Sequence, residues 1–446
     1  MTKSSRGKLA ALSCVCLTCG NAVAADAPAA ESAPPATMQE PEEREAPEVR
    51  VAPQGAPALQ MSPDFASPAM SFGGYFPVPQ MESGTMRVEP FNIRAAVNAG
   101  LAYDDNVTLA RSNKISSMLL TVTPAVSVGL EGANQRYYVV YRGNYGRYLN
   151  SALDNFDNHN LGLAAGHDWT TRFTSFATYD YTRGRDPRGA TTETLTRSDP
   201  WTLHRLRGNV GYGAPGAMGH LDGFVGYTKR EYSGDNGGLP DTRNFDQVDV
   251  GGTFGYRVAP KTTTTLTVQH SDITHPEAHV LDATENRYLV GLAWEAMAKT
   301  QGYGRVGYLR RSAADPAAGT FSTPTYEVGA TWSPLTYSTL NVTANRTSAE
   351  AVEAGSRFLV IDVTTVTWNH SWFERVRSTV RGLYGQQRHE GVSRTDSYYT
   401  VGAQVSYALH RRLRIGAEIR HDARNSPDPL LEFKRNLTLL TLESSL

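Results

Sequence analysis

Apolar and polar residues alternate along most of the chain, and the pattern sets in at Ile93. Ile93, Ala95, Val97, Ala99, Leu101 and Tyr103 take one set of positions; Arg94, Asn98 and Asp104 fall on the intervening set. Period two predicts a strand with one apolar and one polar face. The run is as long as a tilted strand needs to cross a bilayer, about 9–11 residues. A polar connection at 105–115 follows. A second run then carries Leu120, Val122, Val126, Val128 and Leu130, and after a tight turn at 131–134 comes a tyrosine-rich third run at 136–148.

This rhythm persists to the C-terminus and gives about 18 alternating runs, within the range of bacterial barrels. Short connections are expected at 131–134, 167–172, 213–219, 258–261, 296–299, 333–336, 372–375 and 408–412. Longer polar ones are expected at 105–115, 150–155, 182–200, 231–244, 271–285, 312–323, 347–357, 388–395 and 423–434. Short turns face the periplasm and long loops face outward, so this alternation closes an even-stranded, antiparallel up-and-down β-barrel. Nearly every proline of this region falls in a connection, as a missing N–H requires. Pro124 lies inside the second run and predicts a bulge.

The faces can be sorted by the same period. Leu221, Val225 and Tyr227, Val248, Val250, Phe254 and Tyr256, Tyr288, Val290, Leu292 and Trp294, and Leu413, Ile415 and Ile419 share one side. The opposite side carries Asp222 and Thr228, Gln247, Asp249 and Thr253, Arg287 and Glu295, and Arg414, Glu418 and Arg420. Apolar out and charged in is the pattern of a transmembrane barrel. Aromatics near the run ends (Tyr103, Tyr148, Trp169, Tyr181, Tyr212, Trp332, Trp372, Tyr407) predict interfacial girdles. The last run, 436–446, ends on Leu446 after Ser444 and Ser445 rather than on an aromatic. Either the final strand stops near Leu442, or the ending that the barrel-assembly machinery reads is degenerate.

The first 90 residues are different in kind. Lys3, Arg6 and Lys8, a short apolar core over 9–19, and the small-residue run Asn21-Ala22-Val23-Ala24-Ala25 predict a secretory signal peptide at 1–25, cleaved near Ala25. All three cysteines (Cys14, Cys16, Cys19) lie within it, so the mature chain needs no disulfide or thiolate metal site. Residues 26–90 hold 12 of the 24 prolines and predict a disordered periplasmic segment. It is read as an unstructured leader, a spacer that binds a periplasmic export partner, or a plug for the pore. The barrel then occupies 91–446.

Composition narrows the classes. A formal net charge of −1 gives no pull toward nucleic acid. Mean hydropathy of −0.40, with no stretch near the ~18 apolar residues of a spanning helix, excludes a helical membrane protein but not a β-barrel.

Asp104, Asp105 and Asn106 are adjacent oxygen donors where a strand meets a loop. Without a glycine-centred acidic loop they suit turn formation better than calcium. His270, His275 and His279 are too loosely spaced for zinc. No catalytic or phosphate-cradling motif occurs, and no cofactor is expected. The arginines say more: the barrel region has five lysines (Lys114, Lys229, Lys261, Lys299, Lys434) against many arginines. By alternation Arg94, Arg205, Arg207, Arg287, Arg377, Arg381, Arg414 and Arg420 point into the lumen. They either pair with Asp222, Asp249, Glu295, Glu327 and Glu418 and brace the wall, or line a path for anionic sugars as well.

The run Ala102-Tyr103-Asp104-Asp105-Asn106-Val107, the third run over 136–148 and the following Phe156-Asp157-Asn158-His159 resemble the β-barrel porin type 2 family, which includes EpsL-like barrels of exopolysaccharide operons. Tyr103, Asp104, Asp105 and Asn106 carry the motif. The resemblance implies a Gram-negative outer-membrane channel, without catalysis, that moves a polysaccharide to the cell surface. The alternatives are a general or nutrient-specific diffusion porin, or a hydrolase embedded in the barrel. Expected partners are outer-membrane lipid, the polysaccharide and the assembly machinery.

Overall fold

The computed structural model describes residues 86–446, except 192–193, 195, 215–216, 234–240, 298, 352–355 and 446 and the side chains of 295–297. The expected signal peptide and nearly all of the leader, the terminal Leu446 and the Glu295 side chain lie outside the described residues.

Every long strand pairs antiparallel with its sequence neighbours. The first, β2 (Phe91–Asp104), follows a three-residue strand β1 (Met86–Val88). The rest are β3 (Ser117–Glu131), β4 (Gln135–Tyr148), β5 (Phe156–Asp168), β6 (Phe173–Asp186), β7 (Asp199–Tyr212), β8 (Gly219–Tyr232), β9 (Phe245–Ala259) and β10 (Thr262–Thr274). The circuit continues with β11 (Ala283–Met297), β12 (Thr300–Ala313), β13 (Thr320–Leu335), β14 (Ser338–Glu350), β15 (Phe358–Phe373), β16 (Val376–Glu390), β17 (Arg394–His410), β18 (Leu413–Asn425) and β19 (Phe433–Ser445). The last strand returns to the first: Leu437 opposes Asp104, and the ladder runs to Ser445 opposite Ala96. β2 to β19 therefore form a closed barrel of 18 strands, as the alternation predicts. Closure satisfies the backbone groups that lipid cannot.

The final strand does not stop near Leu442. It runs to Ser445, and below it the same edge of β2 is taken by β1, with Met86 opposite Ile93 and Val88 opposite Phe91. The other edge of Phe91 pairs with Leu130 of β3. A short hairpin thus completes the periplasmic end of the seam.

Connections follow the expected order of short and long, but the strands reach further into the outer loops. β16 and β17 are separated only by 391–393, where a connection over 388–395 was expected. Polar residues at these ends continue the ladder above the membrane, where apolar periodicity gives no signal. The bulge expected at Pro124 is absent. Thr123 and Pro124 make no ladder pair with β4, yet the register on either side is unchanged (Val122 with Tyr145, Ala125 with Arg142). Pro124 loses local pairing without inserting a residue. Register shifts sit instead beside short turns, between Trp294 and Met297, Trp332 and Leu335, Ser371 and Phe373, and Ala408 and His410.

The apolar face is the exposed one. Leu221, Val225, Val250, Phe254, Val290 and Ile419 are each about half exposed, whereas Asp222, Thr253, Glu418 and Arg420 on the opposite face are buried. An exposed wall of aliphatic side chains around a buried charged interior inverts a soluble barrel, and lipid must cover it. Tyr103, Trp169, Tyr212, Trp332, Trp372 and Tyr407 are exposed on this wall. Tyr148 is not a girdle residue. It packs inside against Phe156 and donates its hydroxyl to Asp104, 3.3 Å away. It shares the parity of Gly146, not that of Val139, so alternation places it within.

Leu206 lies mid-strand on the outer face, 52% exposed. Leu206→Arg should lower unfolding free energy in lipid vesicles by about 2–4 kcal/mol, the cost of an arginine at the midplane. Leu206→Ile should leave it unchanged. Chemical denaturation followed by tryptophan fluorescence measures both.

Candidate functional site

The inward face changes character along the barrel. On β16 the inward Arg377, Thr379, Arg381 and Leu383 are half-buried, while Gly385, Gln387 and His389, nearer the outer end, are buried. β18 repeats this, from half-buried Arg414 and Gly416 to buried Glu418, Arg420, Asp422 and Arg424. β7 does too, with Asn209, Arg207 and Arg205 half-buried and Leu203, Trp201 and Asp199 buried. On these three strands the inward side chains are half-buried toward the periplasm and buried toward the outside, whereas Thr263, Thr265 and Glu443 are buried nearer the periplasmic ends of their own strands.

Two outer connections do much of the filling. Leu109, from the connection after β2, and Ala190, from the one after β6, share a cluster with Leu359, Ile361 and Val363 of β15, Tyr398 of β17 and Phe433 of β19. β15 lies nine strands from β6 around an 18-strand circuit, so connection 187–198 reaches the opposite wall. The Arg424 guanidinium clamps it there, donating to the Ala190 carbonyl at 2.7 Å and to Asp396 at 2.5 Å. At its root Arg188 holds Asp154 in a two-pronged pair at 2.8 and 2.5 Å and also meets Ser151. The hydrogen bonds it donates to Asp154 raise the Arg188 guanidinium above its ordinary range.

The crossing depends on a glycine. Gly189 has φ +77°, and a Cβ there would fall 2.1 Å from the Thr108 carbonyl oxygen. The two connections touch backbone to backbone at this point, which only glycine permits. Leu109 itself takes φ 50°, unusual for a branched side chain, and is 1% exposed. Burial of its isobutyl group in the cluster offsets the backbone cost.

The residues expected to hold a turn form a clasp for this arrangement. Asp104 is fully buried, and its Oδ1 accepts the Asn106 N–H at 3.0 Å. Asn106 donates to the carbonyls of Ala110 and Lys434 and accepts from the Ala110 N–H. Asp105 takes both the backbone and side-chain N–H groups of Asn436 at 2.7 Å. Arg435 lies 3.5 Å from Asp104 and 3.8 Å from Asp422. The motif thus pins the connection after β2 to β19 at the closing seam. Among the described residues no group of three or more acidic, histidine or cysteine side chains is arranged to hold a metal ion.

Further buried charge rings the outer end. Arg311 pairs with both oxygens of Glu350 at 2.7 and 2.9 Å, and His275 stands 3.3 Å from the same carboxylate. Asp186 accepts from Trp201 and Tyr232. Asp199 and Asp241 share Arg243. Asp396 gathers Arg394, Arg424, His389 and Ser426.

Seven of the arginines singled out by alternation (Arg94, Arg205, Arg207, Arg287, Arg377, Arg381, Arg414) are half-buried on the inward parity, and Arg420 is buried. Glu327 takes Arg287 and Arg305, each at 3.1 Å. Arg414 stands 3.7 Å from Glu443 and Arg420 3.1 Å from Asp422. Arg377 reaches Ser371 at 3.4 Å, and Arg207 lies over the Phe224 ring at 4.4 Å. Asp249 accepts instead from Gln247, Gln269 and Ser271. The arginines are spread over several strands and make no single cluster. Arg188, Arg311, Arg424 and Arg435, which build the outer constriction, were not singled out; their position next to the long connections was the available signal.

A family model described as "Putative beta-barrel porin 2" matches residues 79–445. No curated protein matches the chain. Similar solved structures include the FrpB iron transporter (F3-3 variant) of Neisseria meningitidis, 10% identical, covering 80% of this chain and 82% of that one with a TM-score of 0.42. Pseudomonas aeruginosa OccK2 in complex with glucuronate is 11% identical, covering 80% and 98% with a TM-score of 0.44. Pseudomonas aeruginosa OccK1 is 13% identical, covering 81% and 100% with a TM-score of 0.43. At these scores the likeness carries no argument about substrate or mechanism.

Leu109→Ala removes the side chain that fills the crossing and should weaken the cluster by about 2–5 kcal/mol. In planar bilayers the variant should spend more time at the higher conductance level than the parent protein. Identical dwell times would show that the crossing does not limit the pore.

Proposed function

The chain belongs to the putative beta-barrel porin 2 family, and from that premise we propose that this outer-membrane barrel exports an exopolysaccharide, without catalysis, through an arginine-bearing lumen gated by connections 105–116 and 187–198. The observation that carries the reading is the gradient along β7, β16 and β18, with half-buried arginines toward the periplasm and buried contacts at the outer end. A funnel of this shape receives a chain from the periplasmic side and releases it by displacing two connections. The barrel wall itself need not move.

Arg377, Arg381 and Arg414 stand along the inner half of this path. Guanidinium groups offer planar, paired donors to sugar carboxylates and keep their charge at every relevant pH. Glu327 between Arg287 and Arg305 braces the wall, and the arginines of the inner half meet the substrate while keeping their own contacts, Arg414 with Glu443 and Arg377 with Ser371. The resemblance of the Tyr103–Asn106 motif to EpsL-like barrels supports a polysaccharide as the cargo. The leader at 26–90 is the segment through which a periplasmic export partner would dock.

A second reading, a diffusion porin for small solutes, is favoured by the same outer crossing, since a narrow mouth suits a single sugar better than a polymer. Deleting the gene in its host and measuring polysaccharide on both sides of the outer membrane separates the two. Loss outside with accumulation in the periplasm is expected for export. Normal secretion with slowed solute uptake would replace export by diffusion.

Replacing Arg377, Arg381, Arg414 and Arg420 by glutamine should move the reversal potential in a salt gradient away from anion preference. Unchanged selectivity would remove these four from the path.

A further inference from the structure

The outer wall of the barrel carries a polar cavity of about 380 Å³, lined by Tyr145, Arg147, Asp157, His159, Arg183 and Arg185 among others. Its location sets it apart from the lumen. Tyr145 and Arg147 share the parity of Tyr137 and Val139, which are exposed on the apolar wall of β4. Asp157 and His159 share that of exposed Leu163 on β5, and Arg183 and Arg185 that of exposed Phe173 on β6. These side chains therefore project outward from the barrel.

Depth follows from the sequence order. Just below the cavity lies a band of outward aromatics and imidazoles, with Tyr141 bonded to Tyr145 at 2.9 Å and to His159 at 3.0 Å, and Tyr179 bonded to His204 at 2.8 Å. Such amphipathic rings sit at the membrane–water interface, where hydrocarbon gives way to headgroups. Arg183 and Arg185 follow Tyr181 on the same face toward the outer end. At ~3.3 Å per residue Arg183 is about 7 Å beyond that ring along the strand. The cavity is at headgroup height on the outer leaflet side.

Its charge is unbalanced. Asp157 is neutralised by Arg147 at 2.8 Å. Arg185 spends one end of its guanidinium on the Asn155 carbonyl and Ser198, at 2.8 and 3.1 Å. Arg183 is exposed and has no described side-chain partner. Further round the wall, Lys229 and Glu231 pair with each other at 2.9 Å. Two guanidinium groups held at the edge of an apolar wall, with one carboxylate already occupied, match a phosphate in both charge and geometry.

We infer that this cavity binds the phosphorylated headgroup of an outer-leaflet lipid, with Arg183 and Arg185 as phosphate donors and the Tyr141–Tyr179 band against the first part of its acyl chains. Arg147 is a positioning residue, since it also ties the Gly146 and Phe156 carbonyls at 2.9 and 3.1 Å. The inference rests on the outward face being the lipid face. It is independent of what passes through the lumen.

The test uses the full chain in detergent, titrated separately with bisphosphorylated lipid A and with dephosphorylated lipid A, with occupancy read by native mass spectrometry. The parent protein should prefer the phosphorylated lipid by about tenfold or more, the size expected from losing charge-assisted hydrogen bonds. Arg183→Gln and the double variant with Arg185→Gln should lose that preference. Both should keep the heat-modifiable electrophoretic mobility of a folded barrel: Arg183 has no described side-chain contact to lose, and Arg185 gives up only its bonds to the Asn155 carbonyl and Ser198, outside the strand ladder. Equal binding of the two lipids by the parent, no binding of either, or a preference retained by the folded double variant would each overturn the proposal.

Discussion

Hydrocarbon offers no hydrogen bonds, and the remainder of the structure depends on that constraint. Every N–H and C=O at membrane depth must find a partner within the protein, so the sheet cannot end in the membrane. The seam between β19 and β2 is where an eighteen-strand sheet would otherwise present two free edges. The ladder from Leu437 opposite Asp104 to Ser445 opposite Ala96 closes it, and β1 continues along the remaining edge of β2. The family motif sits at the outer end of that same seam. Asp105 binding both N–H groups of Asn436, and Asn106 reaching the Lys434 carbonyl, secure the last strand where pairing stops.

Once closed, the barrel has an inside that water can reach and an outside that it cannot, and the two sets of alternate residues answer to different solvents. This division explains why charged side chains are the buried ones. An ion pair such as Arg311–Glu350 is costly to desolvate, but once buried it becomes costly to break, because a lone partner would be left uncompensated. The outer end gathers several such groups with their partners around connections 105–116 and 187–198. Charge there acts as fixed bracing. Along β7, β16 and β18 the inward side chains of the periplasmic half are half-buried, and Arg414 there lies beside Glu443.

The barrel was legible in the sequence because its defining signal is local. Period two, turn length and proline position each depend on residues close together in the chain, and these gave the class, the strand number and the order of connections. Faces are legible by the same arithmetic: Tyr148 lies near a strand end, where girdles belong, yet its parity turns it inward against Phe156. Two further expectations turned on three-dimensional detail. Pro124 interrupts one ladder without a bulge, since the β4 register passes it unchanged. The strand ends extend past the apolar pattern because polar residues above the membrane pair equally well. Least legible was the crossing of the mouth. Arg424 and Ala190 are 234 residues apart, and no pattern within either segment announces the other. Alternation tells which way a side chain points, and it cannot tell what stands on the far side of the lumen.

The crossing also shows how a rigid wall and a variable opening coexist. Strand pairing is continuous around the barrel, so a change in strand tilt or number would break many ladder bonds at once. Among the described residues, connection 187–198 is held by a small apolar cluster, the Arg424 bond to one carbonyl, the Arg188–Asp154 pair at its root and the Arg185 bond to Ser198. The root pair lies on the near side, beside β5 and β6, and the cluster lies on the far side, against β15. Releasing the far contacts while keeping the near one swings the connection without detaching it. Gly189 is positioned between these two attachments, where its backbone meets Thr108, so a movement of one connection necessarily disturbs the other. A joint displacement of the two connections leaves every ladder bond of the barrel in place.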